Sequence, residues 1–134
     1  MKKKLSEEIS KYFINKDEVV AVYIFGSYAK GLERSFSDLD IGILFNENER
    51  DIINKINLYM IELSRITRKD IHPVILNSTS EELMRQIFSK GKCILVNDSK
   101  KLSIFKTTMY SRISDFAYYR NIMKTGFVRK VMEG

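Results

Sequence analysis

The sequence has one cysteine, one histidine, one proline and no long apolar run. With Cys93 alone, an internal disulfide and a cysteine-based zinc site are excluded. Cys93 lies in an apolar, strand-like run and reads as a small core residue. His72 alone cannot build a histidine-rich metal site. Proline gives no donor to a ladder, so Pro73 places its strand at a sheet edge. No apolar stretch approaches about 18 residues, so no membrane-spanning helix is expected. The opening residues, MKKKLSEEISKY, lack the apolar stretch of a secretory leader, and a cytoplasmic location is expected. No internal repeat, low-complexity tract or linker interrupts the chain.

What is present reads as one globular domain, residues 1–134, long enough to bury roughly two-thirds of its unfolded surface. The net charge of +6 fits an anionic substrate, a nucleic-acid partner or an acidic protein surface, and does not choose among them.

The chain is organised around Gly26 to Asp40, GSYAKGLERSFSDLD. Before it runs Val19 to Phe25, and its end leads into Asp38 to Phe45. Both runs are short, β-branched and aromatic, and bounded by turn residues, so both read as strands. On the second, Asp38 and Asp40 are two apart and share a face, with Cα atoms roughly 6.5 to 7 Å apart. Leu39, Ile41, Ile43 and Phe45 take the opposite, buried face. Two like charges this close need a cation, and hard oxygen ligands suit Mg²⁺. A pair of ions about 3.5 to 4 Å apart clamps the entering and leaving oxygens of a phosphoryl displacement. At the other end, Gly26-Ser27 leads into a short helical turn, Ser27 to Lys30. Its backbone N–H groups suit phosphate, glycine permits close approach, and Ser27, Lys30 and Arg34 add a hydroxyl and positive charge.

Gly26-Ser27, ten residues, then Asp38-x-Asp40 resembles the signature of the DNA polymerase β-like nucleotidyltransferases. The fuller pattern, Gly26, Ser27, Ala29, Gly31, Ser37, Asp38 and Asp40, resembles the minimal nucleotidyltransferases of prokaryotes (the MNT type), often antitoxins paired with HEPN-domain toxins. The match departs at Lys30, where that family more often has arginine. Lysine keeps the charge and loses the planar fork. The resemblance implies an α/β (α+β) fold with a small mixed sheet, helices mostly on one face, and a long C-terminal helix. It further implies AMP transfer from ATP with two Mg²⁺ ions, a catalytic and metal-binding set of Asp38, Asp40 and Asp70, and a nucleotide-binding set of Gly26, Ser27, Lys30 and Ser37. The implied partner is a HEPN toxin, silenced by modification of a hydroxyl side chain.

The remaining elements follow from periodicity. Leu5 to Lys16 reads as an amphipathic helix. Glu49 to Thr67 reads as a helix with a stripe of Ile52, Ile56, Tyr59, Leu63 and Ile66. Asp70 to Leu76 is the third strand, with Asp70 at its head and His72 two residues along on the same face. Thr79 and Glu82 have the capping-box spacing before a helix ending at Gly91. Lys92 to Val96 is a fourth strand, and the resemblance covers about residues 19 to 97. From Lys100 to Lys130 a helix carries Leu102, Phe105, Met109, Ile113, Phe116, Met123 and Phe127 on one stripe. That stripe either packs on the chain's own domain or meets another chain, a toxin or a second copy. Its basic residues and tyrosines match no RNA motif, which argues against direct nucleic-acid binding. Two other functions use the same residues differently. One is a nucleotidyltransferase acting on a small molecule such as an aminoglycoside, for which 37 residues after Asn97 leave little room for a substrate domain. The other is a non-catalytic antitoxin that covers its toxin.

Overall fold

The computed structural model describes residues 3–31 and 38–122. The elements run α1 (Lys3–Phe13), β1 (Val19–Phe25), α2 (Ser27–Lys30), β2 (Leu39–Phe45), α3 (Ile52–Thr67), β3 (Ile71–Ile75), a 3₁₀ turn (Leu76–Ser78), α4 (Glu81–Lys90), β4 (Lys92–Val96) and α5 (Ser99–Ile122). Four strands form one mixed sheet in the order β3-β2-β1-β4. β1 is antiparallel to β2 and β4, and β2 is parallel to β3. β1 is central and buried on both faces, which is why it reads as a continuous apolar run. β3 has one neighbour only, and Pro73 lies in that edge strand as expected.

The sequence reading put helices mostly on one face. The structure puts helices on both. Ile9 and Phe13 of α1 and Ile56, Tyr59 and Leu63 of α3 pack with Val22, Ile24, Ile41 and Ile43 on one side. Met84 and Ile87 of α4 and Leu102 and Met109 of α5 pack with Ala21, Tyr23 and Leu44 on the other. At Gly42 a Cβ would stand 2.9 Å from Leu76 Cδ2, so the glycine lets the 3₁₀ turn lie against the sheet. The face that carries Asp40 is therefore covered along its middle and opens into a cleft at the Asp40 end.

Several details differ from the sequence reading, beginning with Cys93, read there as a small core residue and exposed on β4. The α4 cap is Ser80, whose hydroxyl accepts from the Leu83 N–H at 3.3 Å. Thr79 instead donates to the Ile75 carbonyl at 2.7 Å, and Glu82 pairs with Arg85, so the capping box does not form. Ile66, last in the α3 stripe, is 45% exposed, because the apolar stripe drifts off the sheet by the helix's end. In α5 Leu102 and Met109 are buried, Phe105 is half-buried, and Ile104 and Tyr110 are exposed. The side chains of Ile113 and Phe116, and all of Met123 and Phe127, lie outside the described residues. Among the described residues no helix is long and apolar enough to cross a membrane.

Candidate active site

The site forms where β1 ends and β2 begins. Hydrophobic burial of Val19–Phe25 carries the chain to Gly26, whose φ of 73° and ψ of −148° turn it sharply. Tyr28 and Ala29 are buried and root α2 in the core on the α1 and α3 side. Gly31, at φ 72°, caps the short helix, and its N–H reaches the Ser27 and Tyr28 carbonyls. Ser27 is thus held, half-buried, at the start of a turn fixed from both ends.

Antiparallel pairing sets Phe25 against Asp40, which brings Gly26 next to the carboxylate. The approach is so close that a Cβ on Gly26 would collide with Asp40 Oδ2. Only glycine fits there. The other carboxylate oxygen, Oδ1, lies 2.8 Å from Nδ1 of His72, which stands level with Asp40 on the parallel strand β3. Two residues back along the two chains, just before the first ladder pair Leu39–Ile71, are Asp38 and Asp70. Both are exposed, each just before its strand, and the Asp70 carbonyl accepts the Leu39 N–H at 2.8 Å. The parallel pairing of β2 with β3 thus gathers Asp38, Asp40, Asp70 and His72 at one end of the sheet. Among the described residues no three His, Cys, Asp or Glu side chains stand close enough to share one metal ion.

A cleft of about 410 Å³ opens beside Asp40. One wall is Phe25, Gly26 and Asp40; the other is α4, with Arg85, Gln86, Ser89 and Lys90. In the sequence α4 is marked only by its cap spacing and by Gly91 at its end. Its polar side carried no spacing that pointed to the site, since that side meets the site through tertiary packing alone. His72 is on the same strand face as Asp70 by alternation, and the structure sets its ring against Asp40. Ser37 and Arg34 lie outside the described residues, and so does the side chain of Lys30. Lys69, beside Asp70, sits over the Tyr28 ring at 5.9 Å, which adds positive charge next to α2.

Residues 7–100 match the polymerase β nucleotidyltransferase family. The chain belongs to that family. It is a nucleotidyltransferase. A curated relative, by its name a candidate protein adenylyltransferase of Methanocaldococcus jannaschii, is 30% identical over 91 residues, which are 61% of this chain and 91% of the relative. Among solved structures, a chain of a toxin–antitoxin complex with AMP-PNP superposes with a TM-score of 0.70 at 23% identity, covering 95% of this chain and 98% of that one. A chain of the tri-AMPylated Shewanella oneidensis HEPN toxin in complex with MNT antitoxin superposes with a TM-score of 0.62 at 20% identity, covering 98% and 99%. At these identities the superpositions establish the shared fold.

Proposed function

We propose that this nucleotidyltransferase moves AMP from ATP to a hydroxyl on a HEPN-type toxin and so acts as the toxin's antitoxin. The observation that carries the reading is the contact between Gly26 and Asp40, which sets a phosphate-accepting turn directly against a carboxylate at the rim of a cleft. The relative named for protein adenylylation, and the likeness to complexes of HEPN toxin with MNT antitoxin, support the acceptor.

The donor set fits Mg²⁺. Asp38 and Asp40 offer hard oxygens, and Asp40 Oδ2 is left over from the contact with His72. Mg²⁺ takes one or two carboxylates and fills its other positions with water and substrate phosphates, so three converging acids are not required. When bound, the ion neutralises the charge of the transferring phosphate and steadies the entering and leaving oxygens. Asp38 and Asp40 would be the carboxylates that hold it, with Asp70 beside them as the third acid. Asp70 also accepts the proton of the attacking hydroxyl. Gly26 and Ser27, with Lys30 and Ser37, receive the β- and γ-phosphates, which depart as pyrophosphate. The chain's own contribution is placement and charge compensation, the terms that dominate phosphoryl and nucleotidyl transfer.

The test replaces Asp38 and Asp40 together by Asn, a change of charge at almost constant size. With ATP and Mg²⁺, the unaltered chain adds one or more AMP groups to the toxin by mass spectrometry. The double variant still associates and leaves the toxin's mass unchanged. Neutralisation by the variant equal to wild type, with no mass increment from either, refutes transfer and makes the chain an antitoxin that acts by covering its partner.

A further inference from the structure

We propose that α4 supplies a polyphosphate-binding wall to this site, with Arg85 and Lys90 holding the β- and γ-phosphates of the nucleoside triphosphate. The proposal rests on the nucleotidyl-transfer reading above and assigns residues outside the family signature. Across the cleft from Gly26 and Asp40, α4 presents two cations and one neutral amide, Gln86. Ser89 lines the same wall, but its hydroxyl already donates to the Arg85 carbonyl at 2.7 Å and offers only lone pairs. The donors left for an anion are therefore Arg85, Gln86 and Lys90.

The two walls differ in sign. Asp40 is acidic and suits a cation; the α4 wall is basic and suits an anion. A metal-bridged polyphosphate has this same asymmetry, with its cation at one end and free phosphate oxygens at the other. The cleft, about 410 Å³, falls within the range of small-ligand sites, roughly 300 to 1,000 Å³. Arg85 is available for the purpose. Its present partner is Glu82 at 2.9 Å, and both side chains are more than half exposed, at 56% and 58%. An exposed pair of that kind contributes little and gives way to a doubly charged phosphate. Arginine's planar fork then binds two phosphate oxygens at once. Lys90 stands five residues on, in the last turn of α4, as a point charge.

The experiment compares wild type with the double variant Arg85→Gln and Lys90→Gln. A control carries Lys4→Gln and Lys11→Gln, which make the same charge change on α1, across the sheet. Circular dichroism confirms that all three are folded. Calorimetry with Mg²⁺ then measures binding of ATP, AMP and inorganic tripolyphosphate. The expected result is at least a tenfold weaker Kd for ATP and tripolyphosphate in the α4 variant, with AMP within about twofold and the α1 control unchanged. Equal losses for AMP and ATP, a matching loss in the α1 control, no loss at all, or no tripolyphosphate binding by wild type would each overturn the proposal. If wild type never transfers AMP yet binds tripolyphosphate in an α4-dependent way, transfer fails and the anion wall stands.

Discussion

Replacing Gly26 by alanine tests the closest contact in the site. Gly26 has φ 73° and ψ −148°, next to a region that essentially only glycine populates. Holding alanine there costs about 1 to 3 kcal/mol. Its Cβ also lands on Asp40 Oδ2, so the carboxylate must leave its rotamer, at about 0.5 to 1.5 kcal/mol. Together the loss is about 2 to 4 kcal/mol, and a chain of this size drops in Tm by roughly 3 to 5 °C per kcal/mol. Gly31 is the matched control. It has nearly the same φ, 72°, but ψ 20°, and nothing lies within 4 Å of its missing Cβ. Gly31→Ala therefore pays only the left-handed cost, about 1 to 2 kcal/mol. Thermal unfolding followed by circular dichroism reads the stability difference. Calorimetric titration of ATP with Mg²⁺ reads the site, where Gly26→Ala is expected to weaken binding at least tenfold because Asp40 has moved. Gly31→Ala should leave that binding unchanged. Equal losses of Tm and of binding in the two variants would refute the reasoning, since the collision with Asp40 would then contribute nothing.

Two further outcomes concern the scaffold. Burial pushes the Glu18 carboxyl up, but the Tyr59 hydroxyl, Glu18's own backbone amide, Lys55 and Lys16 together pull it further down, below its usual 4.5. That stabilisation is fully present above the usual value and is lost as pH falls through the lower folded value. Tyr59→Phe should therefore lower the urea midpoint by the equivalent of about 1 to 2 kcal/mol at neutral pH. The gap between variant and wild type should close in acid, and a gap independent of pH would refute the assignment. Asn77 clamps the end of β2, its amide oxygen accepting the Phe45 N–H at 2.9 Å and its amide nitrogen donating to the Phe45 carbonyl at 2.9 Å. Asn77→Ala should cost about 1 to 2 kcal/mol by chemical denaturation.

The sequence by itself determined the elements and the signature. Apolar runs of strand length, the Gly-Ser turn and helical periodicity are local signals, and β1, α2, β2, α3, β3, α4 and β4 all form where those signals lie. Pro73 likewise carried its edge position in its own chemistry. Tertiary structure decided what depends on partners distant in the chain. His72 meets Asp40 across 32 residues because β2 and β3 pair in parallel at one register, which neither strand specifies alone. The second helical layer, α4 and α5, closes the face that a single strand's alternation left open. Between Thr79 and Ser80, adjacent candidates for one cap, the choice fell to Ser80 once the 3₁₀ turn had engaged Thr79 with the Ile75 carbonyl. Arg85 and Lys90 reached the cleft in the same way. Helical spacing fixes which residues of α4 point away from the core, but only packing against β1 and β2 determines what those residues face.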